Sequence, residues 1–297
     1  MKKYIITIIT LFLIIIISVG GFFAFGNAKT NQSNDVETLK SKATSEIEYI
    51  SSNIISMMND INNISYSNYK LVSEEIDEGQ SESDSNSESS SNSNSSSEGE
   101  QSNSTNKENT IKSNSMIATN ILSGDTTEAN WDNLNNKVQE LYSSWTTIMM
   151  DLSSLNVNKD KLLKFNDELD EITQNILAKD KRKSLIALGD LYNLITLYIQ
   201  DFSNDAEKIN IFKVRSNILY SYAYTQSEDW AKVGEYISKA KQDYSNILNS
   251  QVNNINKIDV INKAYILLNE LEKDATNKNV KVFLVNYTNL MQELQSL

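Results

Sequence analysis

Apolar residues recur along this 297-residue chain at alternating spacings of three and four, the period of one face of an α-helix. The first seam runs through Ala43, Ile47, Ile50, Ile54, Met57, Ile61 and Ile64, and Leu39 and Leu71 extend it. It predicts one long amphipathic helix across 36–73. A second seam holds Trp131, Leu134, Val138, Leu141, Trp145, Ile148, Leu152 and Leu155. Asp125 and Glu128 form a capping-box pair ahead of it, so this helix is expected to begin near Thr126.

From Asn158 onward the pattern predicts six further helices, each behind Asn, Asp or Ser. Their expected core residues are Leu162, Phe165, Leu169, Ile172 and Ile176; then Leu185, Leu188, Tyr192, Ile195 and Ile199; then Phe212, Ile218 and Tyr222. The series continues with Trp230, Val233, Ile237, Ala240 and Tyr244; then Ala264, Leu267, Leu271 and Ala275; and finally Phe283, Tyr287, Leu290 and Leu294. No stretch sustains period-two alternation, so the fold class is all-α. Connections such as Lys179-Asp180 and Gln226-Ser227 are short, which makes successive helices antiparallel neighbours. The two seams before Asn158 are expected to pair antiparallel as well, with self-association of the first seam between protomers as the alternative.

An internal repeat is visible in Leu185-x2-Leu188-Gly189-x2-Tyr192 and Trp230-x2-Val233-Gly234-x2-Ile237, with a weaker third copy at Val280, Phe283 and Tyr287. These residues resemble the first helix of a tetratricopeptide repeat, but the rest of that motif and its 34-residue period are missing. A solenoid of helical hairpins and a compact bundle both remain open. In either, glycine after the apolar residue is expected to let two helices approach closely.

The only long apolar run lies at the start. Lys2 and Lys3 precede 22 residues, Tyr4 to Phe25, interrupted by a few Thr, Ser and Gly. As a helix this run rises about 33 Å, enough for a hydrocarbon core of about 30 Å, and the two lysines hold its start inside. It predicts an N-terminal transmembrane anchor over 1–30 with the rest of the chain outside the cytoplasm. The alternative is a signal peptide cut near Ala28, releasing a secreted protein. Membrane is the one partner this segment implies.

Charge changes the picture in one place only. The net charge is −12, and the segment 74–110 carries ten carboxylates against Lys107 alone, among Ser, Asn and Gly with almost nothing apolar. It is expected to be a disordered acidic linker between the 36–73 helix and an all-helical domain over 111–297. No region has the basic excess that phosphate neutralisation requires, so nucleic acid is not an expected partner.

Absences narrow the chemistry. The chain has no His, no Cys and no Pro. Disulfides, thiolate nucleophiles, His-based triads and the commonest zinc ligands are therefore excluded, and the usual helix breaker is missing. Carboxylates are the remaining acid–base candidates; Glu168, Asp170 and Glu171 read as a solvated helix face paired with Lys161 and Lys164. Asn156-x-Asn158-x-Asp160 has the opening spacing of a calcium loop, but Lys161 replaces its required glycine and Asp167 its closing glutamate, so a helix N-terminus is expected there. The basic run Lys179 to Lys183 reads as an exposed turn. No catalytic residue, cofactor or metal ligand is predicted, and the chain is not expected to be an enzyme. Among 14 tyrosines, Tyr222 and Tyr244 fall on apolar stripes, whereas Tyr220 and Tyr224, four apart on one face, are the candidate partner-binding patch.

Leu141-Tyr142-Ser143-Ser144-Trp145 and the segment Ala264 to Leu271 resemble stretches of exported, membrane-anchored all-helical proteins of unknown function from AT-rich Gram-positive bacteria. The resemblance spans roughly 126–297. It implies a cell-surface location and transfers no activity. The expected function is a structural or protein-interaction module at the cell envelope; the alternative is a ligand-sensing or accessory subunit of a membrane complex.

Overall fold

The structure, a computed structural model, describes residues 32–64, 128–250 and 257–297. The apolar run of the anchor, Leu71, the acidic linker and Asp125 lie outside the described residues. Eight helices occupy the described residues: α1 (Gln32–Ile61), α2 (Trp131–Ser154), α3 (Lys159–Leu177), α4 (Lys181–Phe202), α5 (Ala206–Thr225), α6 (Trp230–Ser250), α7 (Ile258–Thr276) and α8 (Val280–Gln295). None is long and apolar enough to cross a membrane. The chain divides into two compact units at Leu39: the first contains, of the described residues, only the opening turns of α1, and Lys40–Leu297 contains everything else.

Six helix starts follow the polar residues ahead of them, whereas α7 begins behind Lys257 with no side-chain cap, unlike the Asn, Asp or Ser start expected. Asn130, Asn158, Asp180, Asp205, Asp229 and Asn279 each accept a hydrogen bond from a first-turn N–H that has no intrahelical partner. The second seam thus begins at Trp131 behind Asn130, later than the Thr126 start expected.

The ends of α1, α2, α3, α5 and α7 share one turn, whereas α4 ends in extended backbone at Ser203. Among the described residues, five other than glycine have positive φ: Asn63, Asn156, Lys179, Glu228 and Lys278. At each, the following N–H reaches back five residues to a helix carbonyl, as in Ile64 to Asn59 (2.9 Å), Asp180 to Asn175 (3.0 Å) and Asn279 to Asp274 (3.0 Å). At Lys179, Glu228 and Lys278 the very next residue is the N-cap of the following helix, so two residues close one helix and open another. The same motif ends α1 at Ile61, short of the 36–73 helix expected. Asn63 tolerates the left-handed conformation there, and Ile64 folds back into the core instead of continuing the helix.

These shared turns define the repeat. Hairpins α3–α4, α5–α6 and α7–α8 bury equivalent positions when aligned on Asp180, Asp229 and Asn279. The second helices bury Leu188, Leu191 and Ile195; Ile237, Ala240 and Tyr244; Tyr287, Leu290 and Leu294. The first helices bury Leu162, Phe165 and Leu169; Ile211, Val214 and Ile218; Ile261, Ala264 and Leu268. In this register Gly189 and Gly234 are not equivalent, which corrects the glycine-based alignment of the sequence. A Cβ on Gly189 would meet the Tyr220 ring at 3.2 Å, whereas one on Gly234 would meet nothing within 4 Å.

Within Lys40–Leu297, α1 is the central element. Beyond its seam it buries Ile55, Met58, Ser51, Ser52 and Asn59, residues on its other sides. Asp60 pairs with Lys137 at 2.6 Å and Lys42 with Asp151 at 2.8 Å, so α1 and α2 run in opposite directions. Ser51 donates to Tyr192 Oη of α4 (3.0 Å), Tyr222 of α5 donates to the Met58 carbonyl (2.9 Å), and Tyr287 of α8 donates to Asn59 Oδ1 (3.2 Å). A stack of Trp145 on Phe165, 3.7 Å between centroids, with Tyr198 beside it, ties α2, α3 and α4 together. In α7 it is Leu268 that is fully buried, while Leu267 packs at the core's edge.

Candidate functional site

Tyr220 and Tyr224 sit one turn apart on α5, and the structure adds a third ring that sequence spacing did not reveal. Tyr236 of α6 stacks on Tyr220 (centroids 4.7 Å apart, planes at 18°) and on Tyr224 (5.6 Å, 10°). Lys232 lies 4.5 Å from the Tyr224 centroid and Lys239 4.6 Å from that of Tyr236. Each such cation–ring contact contributes about 0.5–1 kcal/mol at an exposed site.

Tyr220 is the buried foot of this ladder. Only 9% exposed, it packs over Gly189 and donates its hydroxyl to Asp190 Oδ1 at 2.7 Å. As part of a surface patch, Tyr220 is therefore corrected to a support: α5 is enclosed on most sides, and the face it shares with Tyr224 turns inward at Tyr220. Half-buried Tyr224 and Tyr236 carry the surface. Burial pushes the Tyr220 and Tyr236 hydroxyls above the ordinary phenol range. Burial likewise raises the Asp190 carboxyl, against the opposing effect of the Tyr220 hydrogen bond, and raises Glu168, which also feels Asp190.

On the acidic face of α3 the Lys164–Glu168 pair keeps the helical spacing, whereas Lys161 and Asp170 find partners on neighbouring helices. Lys161 reaches Asp201 of α4 at 2.8 Å, Asp170 accepts from the Tyr142 hydroxyl of α2, and Lys164 lies 4.0 Å from Glu168. Asn158 caps α3 by accepting from the N–H groups of Asp160 (2.8 Å) and Lys161 (3.3 Å), which accounts for the polar residues there. Among the described residues no group of three or more acidic, His or Cys side chains is placed to hold a metal ion.

A second concavity was invisible in the sequence because its walls come from separate helices. About 790 Å³ in volume, it opens between α1, α5 and α8. Ile55, Ile211, Phe212 and Met291 form its apolar side. Around it, Lys208 pairs with Glu48 at 2.6 Å and Lys257 with Glu207 at 2.9 Å. Arg215, one of two arginines in the chain, donates to the Leu294 carbonyl at 2.6 Å. The scarcity of arginine is the one sequence signal that points to this place.

No protein-family model matches the chain, and neither a curated protein nor a solved structure matches it.

Proposed function

We propose that this protein is a membrane-tethered interaction module of the cell envelope. In this reading the 1–30 segment anchors the chain, the acidic 74–110 segment is a solvated insertion, and an antiparallel array of helical hairpins around α1 presents a docking face outside the cytoplasm. The observation that carries the reading is the tyrosine ladder. Tyr224 and Tyr236 present rigid aromatic surface flanked by Lys232 and Lys239, on a support fixed by Tyr220 and Asp190. Rigid aromatics are what protein-binding faces concentrate, because they give large contact area at small entropic cost. The apolar leader of the sequence supports the location.

Site-directed photocrosslinking tests it. The full chain, carrying a photoreactive phenylalanine at Tyr236 in intact cells, is expected to give a discrete protein adduct. The same probe at exposed Leu163 on α3 is expected to give none. Identical yields at both positions would overturn the docking role. Protection of α6 from external protease in wall-stripped cells would overturn the location.

A further inference from the structure

We propose that the turn between α3 and α4 is the docking surface for the chain's own acidic segment, 74–110, which is held there by charge. The inference goes beyond the reading above, in which that segment is only a solvated insertion, and it does not depend on the tyrosine face.

The turn is a basic surface built at the unfavourable end of a helix. Lys179, Lys181, Arg182 and Lys183 surround Asp180, and all but Lys181 of these four cations are exposed. Lys181, Arg182 and Lys183 fill the first turn of α4, where the helix dipole favours anions over cations. The one carboxylate of the turn is already committed. Asp180 caps α4 by accepting the Lys183 N–H at 3.0 Å, and its other oxygen lies 3.3 Å from the Lys183 ammonium. Among the described residues, no carboxylate comes within 4.0 Å of Lys179, Lys181 or Arg182.

The acidic segment leaves and rejoins the helices at the same pole. Lys208, at the start of α5, pairs with Glu48 in the first half of α1, whereas Tyr222, near the end of α5, meets Met58 and Asn62 at the end of α1. Late in α5, Tyr220 donates to Asp190, early in α4, so α4 begins where α1 and α5 end. The start of α2 is there too, because Lys137 pairs with Asp60. Ile64 and Glu128, the described residues on either side of 65–127, therefore stand at the pole that carries the basic turn. Nine residues separate Ile64 from Glu74, a reach of up to about 30 Å, against about 10–12 Å for the diameter of one helix.

Charge selects this turn among the surfaces within reach. Glu128, Asp132, Glu228 and Asp229 also stand at this pole, offset by Lys232, Lys278 and Lys281, so the positive surplus is at the α3–α4 turn. The segment brings the complement, ten carboxylates against Lys107 alone. Tethered at both ends, it meets the turn at an effective concentration on the order of millimolar, where ion pairs too weak to hold a separate chain are occupied.

Paramagnetic relaxation in the full chain in nanodiscs tests this. The chain has no cysteine, so Ser93→Cys takes a single nitroxide within the segment. The amides of Lys181, Arg182 and Lys183 are expected to relax at least threefold faster than those of Gln226, Ser227 and Glu228, whose turn shares the pole but carries acidic residues. That excess is expected to vanish at about 0.5 M NaCl. It is also expected to vanish when Lys181→Gln and Arg182→Gln are combined, and when the carboxylates of 74–110 are replaced by their amides, a change that touches no described residue. Equal relaxation at the two turns, enhancement at neither, or an excess that survives salt or the neutralisation of either partner would overturn the docking.

Discussion

Glu46 and Asp151 meet across the seam between α1 and α2 with the Lys42 ammonium between them, 3.6 Å from the first and 2.8 Å from the second. Glu46 is only 5% exposed. Burial, and then its hydrogen bond with Asp151, push the Glu46 carboxyl up to about 7, against the smaller opposing pull of Lys42. The folded chain therefore keeps the Glu46 proton to a higher pH than the unfolded chain, which releases it near 4.5. Between these values the folded state binds more protons, and stability contributed here is present at low pH and lost as pH rises through about 7. The loss is at most about 3 kcal/mol. Glu46→Gln keeps a donor toward Asp151 without a charge. Its urea midpoint is expected to match the wild type at pH 4.5 and to exceed it at pH 8.

The two helical glycines make opposite predictions. Replacing Gly by Ala in a helix interior is worth about 0.5–1 kcal/mol from backbone entropy alone. At Gly234 nothing lies within 4 Å of the new methyl, so Gly234→Ala is expected to gain that amount. At Gly189 the methyl arrives 3.2 Å from the Tyr220 ring, which is pinned by Asp190 on its hydroxyl and by Tyr236 on its face. Gly189→Ala is therefore expected to be destabilising by about 1 kcal/mol. Thermal unfolding of the two variants checks the difference in sign, and Gly189→Ala should also disturb the aromatic near-UV signal of the ladder.

Lys179, Glu228 and Lys278 hold left-handed backbone that costs a β-carbon-bearing residue about 1 kcal/mol. Lys179→Gly and Lys278→Gly are expected to stabilise the chain by about 0.5–1 kcal/mol each, measured by urea denaturation. Lys179 and Lys278 lie in turns of different hairpins, and their effects should add. Lys278→Val is expected to destabilise, since a β-branched side chain tolerates that conformation worst.

How far the sequence discloses this fold depends on whether a residue's role is local or shared. The seam residues Ile47, Ile54, Leu141 and Leu152 are recognisable because helical period and burial coincide, and Tyr222 and Tyr244 fall on the same stripes and are fully buried. The period carries less on α4 and α5, which are covered on more than one side; there Tyr220 has an outward spacing and an inward ring. Turn register is equally hidden. Gln226-Ser227 looks like the break between α5 and α6, but the deciding residue is Glu228, whose backbone no propensity marks as left-handed. The cleft is the least legible, because Glu48, Arg215 and Lys257 are distant in sequence and converge only when α1 occupies the centre.

The C-terminal end of α1 is held by two tyrosine hydroxyls from different hairpins, at the place where a helix leaves its last carbonyls without partners of their own. Tyr222 donates to the Met58 carbonyl at 2.9 Å and accepts from Asn62 Nδ2 at 2.6 Å, while Tyr287 donates to Asn59 Oδ1 at 3.2 Å. Their rings stack on each other, 4.5 Å between centroids, so phenylalanine at either position preserves the packing and removes only the hydroxyl. Tyr222→Phe strands the buried Met58 carbonyl and the half-buried Asn62 amide and is expected to cost about 1–3 kcal/mol; Tyr287→Phe removes one longer bond and should cost about 0.5–1.5 kcal/mol. Hydrogen exchange locates the effect. Faster exchange of the amides from Met58 to Ile61 in Tyr222→Phe, with the amides of α6 unchanged, is the expected pattern. A uniform acceleration across all helices would instead show that α1 opens only when the whole domain unfolds.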